Sequence, residues 1–68
     1  MKLSARNILA GTVTEVTKGA VNAIVRIDIG GTVITSSITN AAVEELGLRV
    51  GEKACAVIKA SDVMIGTE

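Results

Sequence analysis

The chain has 68 residues, 49% of them apolar, with no aromatic residue, no histidine, and seven basic residues balanced by seven acidic ones. That composition excludes a histidine or cysteine metal cluster, an internal disulfide (Cys55 stands alone), and a basic field for a polyanion. It allows one small domain, which buries only about 60% of the surface its unfolded form exposes and whose core rarely supplies more than ~3–5 kcal/mol.

From Ile8 to Val16 the residues are largely β-branched and free of proline, which predicts a first strand. Thr17-Lys18-Gly19-Ala20 reads as a turn, with glycine at a position able to take φ > 0. Val21 to Ile29 alternates, with Val21, Ala23, Val25, Ile27 and Ile29 on one face and Asn22, Arg26 and Asp28 on the other. Ile24 is the one exception. Gly30-Gly31 is a hairpin signal, and Thr32 to Ile38 resumes as a third strand.

Thr39 or Asn40 can cap a helix over Ala41–Leu46, with Glu44 and Glu45 placed to favour its dipole and Gly47 to end it. Val43, Leu46 and an alanine are expected to hold that helix by packing. Lys53–Lys59 then reads as a fourth strand and Asp62–Ile65 as a short fifth. Three strands, a helix and two more strands make the order of a five-stranded OB-type barrel, mainly β, over a single domain of residues 1–68. So much aliphatic surface on so small a chain predicts an obligate homo-oligomer. There is no apolar run of about 18 residues to span a membrane and no apolar leader, and an unpaired thiol suits a reducing compartment, so a cytoplasmic protein is expected.

Nucleic-acid binding by an OB-type barrel requires stacking aromatics and a positive groove, and this chain has neither. Catalysis finds no support either. Asp28, Glu44, Glu45 and Glu52 read as solvated residues, and no Ser-x-x-Lys pair exists. What remains is a set of hydrogen-bond donors: Ser4-Ala5-Arg6-Asn7 near the start and Lys59-Ala60-Ser61 near the end. Donors are what a small oxyanion needs. Taken singly, Lys59 is a strand-end surface charge, Thr39 a helix cap, and Lys18-Gly19 an ordinary turn.

Taken together, these residues carry a resemblance. Ser4-Ala5-Arg6-Asn7, Gly11, Lys18-Gly19, Ile38-Thr39, Val43-Glu44-Glu45-Leu46-Gly47 and Lys59-Ala60-Ser61-Asp62-Val63-Met64-Ile65 resemble, in this order and over the whole length, the molbindins. These are stand-alone Mop-domain proteins that bind molybdate in the bacterial cytoplasm. The resemblance implies no catalysis and no organic cofactor. It implies a homo-hexamer, a trimer of dimers, that binds molybdate and tungstate at subunit interfaces and serves intracellular molybdenum storage and homeostasis.

Carried over by motif, the interface site would use Ser4, Ala5, Arg6, Thr39, Lys59, Ala60 and Ser61. A second anion site would use the turn Lys18-Gly19-Ala20. Two departures from the family pattern stand out: Ile8, where relatives often carry a polar residue, and Ala60, where some place a hydroxyl. The alternative reading is an oligomeric barrel whose role is assembly, with a weak or vestigial anion site.

Overall fold

The computed structural model describes residues 1–68. Strand β1 runs Asn7–Lys18, β2 Asn22–Asp28, β3 Val33–Thr39 and β4 Lys53–Ile58, with helix α1 at Asn40–Leu46 and a 3-10 turn at Ala60–Asp62. The four strands form one antiparallel sheet in the order β3-β2-β1-β4, leaving β3 and β4 as its edges. The OB-type, mainly β reading with a helix between the third and fourth strands therefore holds. The fifth strand does not: Asp62–Ile65 pairs with no strand. The 3-10 turn takes up Asp62, and Val63 continues in extended backbone outside the sheet.

The sheet curls because β1 serves two partners. Its first half pairs with β4, from Asn7↔Ile58 to Thr12↔Lys53, and its second half pairs with β2, from Thr12↔Asp28 to Lys18↔Ala23. A bulge between Val13 and Glu15 bends the strand where it changes sides, and the Thr14 hydroxyl there donates to Arg26 O at 3.3 Å. Val13 is tied across the bend by two backbone bonds. Its N–H donates to Glu52 O at 2.9 Å, and its carbonyl accepts from Gly51 N–H at 2.8 Å. Gly11 permits the crossing, since a Cβ there would lie 2.3 Å from Asp28 O and 2.7 Å from Ile27 Cγ2.

Gly30-Gly31 makes the hairpin predicted for it. Both glycines have positive φ, 108° and 97°, and Ile29 N–H closes the loop on Thr32 O at 2.9 Å. The Asp28 carboxylate accepts from Gly31 N–H at 2.8 Å and Gly30 N–H at 2.9 Å. Those two donors, Gly31 foremost, hold its pKa below the ordinary 3.8 against a small opposing effect of desolvation. A lowered carboxylate pKa stabilises the folded hairpin above pH 3.8, and that stabilisation is lost as pH falls through the lowered value.

Thr39 is the helix cap, its hydroxyl oxygen accepting from Ala42 N–H at 3.0 Å. Gly47 ends α1 in the left-handed region at φ 63°, donating to Glu44 O, while Leu48 N–H returns to Val43 O. Two expectations about α1 are corrected. The helix starts at Asn40, so Glu44 and Glu45 lie beyond its first turn and gain nothing from the positive end of the dipole. Leu46 is 68% exposed, leaving Val43 as the helix's buried anchor.

The core is Val13, Ala23, Val25, Ile27 and Val43, five buried residues out of 68. Three of them are the alternate positions of β2, as its period-two pattern requires, whereas Val21 precedes the strand and is exposed. So small a core leaves Met1, Leu46, Val50, Met64 and Ile65 each more than 60% exposed. Scattered singly such side chains need no explanation, but in that number they leave much of the chain's apolar surface uncovered. Gly11→Ala should lower stability by about 1–3 kcal/mol, because the backbone oxygen it meets cannot move without breaking the β1–β2 pairing. Denaturant midpoints of parent and variant at matched protein concentration check this, and an unchanged midpoint would mean that β1 does not cross β2 so closely.

Candidate functional site

The donor residues near the two chain termini meet at one end of the β1–β4 pair. Asn7 pairs with Ile58, and its side-chain Nδ2 donates to Ile58 O at 3.2 Å, pinning the start of β1 to the end of β4. Arg6 directly precedes and Lys59 directly follows that terminal pair, so Ser4-Ala5-Arg6 and Lys59-Ala60-Ser61 both leave the sheet at this end. Both cations are free of carboxylates: the ion pairs in the chain are Lys18–Glu44 and Arg26–Glu15. The 3-10 turn is closed by the N–H groups of Asp62 and Val63, which donate to Lys59 O at 2.9 Å and Ala60 O at 3.2 Å. The N–H groups of Ala60 and Ser61, at the front of the turn, take no part in it. Two cations with no ion-pair partner, two hydroxyls and spare backbone donors therefore share one corner, beside the Asn7 carboxamide and the Asp62 carboxylate of the 3-10 turn.

Thr39 lies elsewhere. It pairs with Asn22 at the start of β2, next to the end of β1 where Lys18 faces Ala23. Asn7 and Lys18 are the two ends of the twelve-residue strand β1, so Thr39 and the Arg6–Lys59 corner sit at opposite ends of that strand. No single chain unites the seven residues assigned to the interface site. The Thr39 oxygen already accepts from Ala42 N–H, so toward anything beyond the helix it offers its O–H as a donor.

The turn Lys18-Gly19-Ala20 packs against Thr39's end of the molecule, and most of its polar groups are used internally. Lys18 Nζ pairs with Glu44 Oε1, Gly19 N–H donates to Asn22 O at 2.7 Å, and Gly19 O accepts from Asn40 Nδ2 at 2.9 Å. Gly19 does not have positive φ. It is glycine for lack of room, since a Cβ would lie 2.9 Å from Asn22 O. The alternating backbone of an anion nest is therefore not formed here by Gly19, and Ala20 N–H is the donor the turn leaves unengaged.

Sequence reasoning passed over Asn40 as anything but a cap candidate. It is the keystone of this corner: its N–H donates to Val21 O at 2.7 Å, and its side chain holds Gly19. Its Oδ1 is the one buried side-chain polar atom without a partner. An asparagine at a strand-to-helix junction was the signal available.

Residues 3–65 match the TOBE domain family. A probable molybdenum-pterin-binding protein of Haemophilus influenzae is 56% identical over 69 residues, covering all of both chains. The chain belongs to the TOBE-domain family, in its molbindin branch. Among solved structures, a molybdate binding protein from Sporomusa ovata superposes with TM-score 0.93 at 39% identity, covering 98% of this chain and 100% of that one. The cytoplasmic molybdate-binding protein ModG, solved with molybdate bound, superposes with TM-score 0.95 at 55% identity. It covers all of this TOBE chain, which spans 49% of ModG's length.

Thr39→Val removes the cap acceptor of α1 and should cost about 1 kcal/mol, whereas Thr39→Ser keeps the oxygen and should cost a small fraction of that. Thermal unfolding of the two variants separates them, and equal losses would show that the methyl group, not the oxygen, holds the helix.

Proposed function

We propose that this TOBE chain binds molybdate, and tungstate with it, as a non-enzymatic carrier of the oxyanion in the cytoplasm, serving molybdenum storage and homeostasis. The whole of residues 1–68 is one binding module, assembled as a homo-hexamer of three dimers with the anion at subunit interfaces. The observation that carries this reading is that Arg6 and Lys59, two cations in no ion pair, flank the terminal Asn7–Ile58 pair of β1 and β4. The names of the relatives, which are molybdate-binding or molybdenum-pterin-binding proteins, support it.

Molybdate is a tetrahedral dianion whose oxygens only accept hydrogen bonds. Arg6 and Lys59 match its charge, Ser4, Ser61 and Thr39 supply hydroxyl donors, and Ala5 and Ala60 supply backbone N–H groups. Burial at an interface strengthens each of these bonds by excluding competing water. Backbone and short hydroxyl donors are held by the fold, so ordering them on binding costs little. A donor-only site disfavours hydrogen phosphate, whose own O–H would face another donor. Sulfate carries no such proton and is excluded by size alone. Tungstate matches molybdate in charge and nearly in size, so it binds as molybdate does. The Lys18-Gly19-Ala20 turn forms a second, weaker anion site once subunits converge on it, with Lys18 exchanging Glu44 for the anion.

Titration calorimetry with molybdate and with sulfate, alongside the oligomer mass, tests the reading. Saturable heat is expected with molybdate and none with sulfate. At a hundredfold excess over the dissociation constant, molybdate should stabilise the assembly by about 2.7 kcal/mol per site. Arg6→Ala should weaken binding at least tenfold while the oligomer persists. Parent-like affinity in Arg6→Ala would remove Arg6 from the site, and no heat at millimolar molybdate would leave an assembly module in its place.

A further inference from the structure

A groove of about 800 Å³ between the edges β3 and β4 is apolar ground, with twelve hydrophobic residues among its fifteen, so an anion is left to the donors where β1 begins and β4 ends. Little ties those donors together. The pairing of β1 with β4 stops at Asn7↔Ile58, and no backbone hydrogen bond engages the N–H groups of Ser4, Ala5, Arg6 or Lys59. Arg6 and Lys59 are in no ion pair, so their mutual repulsion favours splaying of the two ends.

One side-chain hydrogen bond spans the corner. It runs from Asn7 Nδ2 to Ile58 O at 3.2 Å, half-buried, between residues 51 apart in sequence. The Ile58 carbonyl belongs to the same planar peptide unit as the Lys59 N–H. Asn7 therefore fixes the plane from which Lys59 departs, and Lys59 leaves it in extended backbone at φ −63°, ψ 137°. On its other side Lys59 is held by the 3-10 turn, through Asp62 N–H to Lys59 O at 2.9 Å. One carboxamide thus links the backbone that carries Arg6 to the peptide unit that carries Lys59.

The residue type is a second sign. Asparagine is depleted in strands, yet Asn7 is half-buried at the head of Asn7-Ile8-Leu9-Ala10, where an aliphatic residue would serve strand formation better. A residue that breaks a local rule without a gain in packing is expected where function sets the choice.

We propose that Asn7 is the positioning residue of the donor corner: without touching the anion itself, it holds Ile58 O and so sets Lys59 against Arg6. The consequence for binding rests on the oxyanion reading, and the consequence for the backbone does not.

Asn7→Ala and Asn7→Val both remove the donor, and the valine keeps a side chain that strands favour. In the assembled protein without molybdate, NMR order parameters of the Lys59 and Ala60 amides should fall in both variants from the rigid range near ~0.85 to below about 0.6, while those of β2 stay rigid. Molybdate affinity should fall about fivefold, the weight of one hydrogen bond, with the oligomer mass and the Asn7→Val unfolding midpoint at the parent's values. A residue that merely stabilised the strand would be replaced by valine without loss of binding. Added to Lys59→Ala, Asn7→Val should weaken binding no more than about twofold further, since the group it acts through is already gone. Unchanged order parameters at Lys59 and Ala60 would overturn the proposal whether or not molybdate binds. Parent affinity in Asn7→Val would overturn it too, as would the full fivefold loss on top of Lys59→Ala. No saturable binding by the parent would instead overturn the oxyanion reading, and the order parameters would then decide the positioning alone. If Asn7→Ala fails to fold, Asn7→Val decides.

Discussion

The fold depends on one strand serving two partners. β1 pairs with β4 through its first half and with β2 through its second, and it can pass from one to the other only where Gly11 lets it lie against the Asp28 carbonyl. The bulge at Thr14 and the two bonds from Val13 to the Gly51-Glu52 loop fix the bend. From that bend follows the placement of the candidate site residues. The start of β1 goes to the end of β4, bringing Arg6 to Lys59, and the end of β1 goes to the turn that packs under Thr39 and Asn40. The strand thus holds the Arg6–Lys59 corner and the Thr39 corner apart.

A chain built this way covers little of its own apolar surface. Five buried residues make a core too small for 68, and the aliphatic surplus is displayed on the Val63–Ile65 tail, in the β3–β4 groove and around the helix end. The polar side shows the same incompleteness. Arg6 and Lys59 lack counter-charges, and Thr39 keeps a hydroxyl proton to give after capping α1. Two cations near each other in water tolerate their separation from any anion because the solvent screens them. Buried together at an interface they would not, and a dianion between them resolves the conflict. Apolar burial and anion binding are in this account two aspects of one assembly step.

Local signals were legible in the sequence because local chemistry decides them. Gly30-Gly31 needs positive φ at two successive residues, Gly47 ends a helix in the left-handed region, and the alternation of Ala23, Val25 and Ile27 needs only one buried face. The donor corner was legible as two short motifs, although only the β1–β4 register shows that they adjoin. What escaped depends on distance. Gly19 looked like a turn glycine but is small because Asn22 O crowds it, and Glu44 serves Lys18 rather than the dipole. Leu46 fits an apolar helix pattern yet points to solvent in one chain, and the Val63–Ile65 pattern of a strand has no edge to pair with there. The last two patterns share one feature: their apolar residues are exposed in the chain, so apolar patterning alone overstates what one chain buries.

The central claim is that the oxyanion site is shared between chains, with Arg6 and Lys59 from one and Thr39 from another. Complementation measures it most directly. Arg6→Ala and Thr39→Val are prepared separately, dissociated, mixed in equal amounts and reassembled, and molybdate binding is titrated before and after mixing. A shared site predicts that the mixture regains a fraction of the parent's tight sites that neither variant has alone, because some interfaces pair an intact Arg6 with an intact Thr39. A mixture that binds only as the average of the two variants would place all the ligands on one chain and contradict the account.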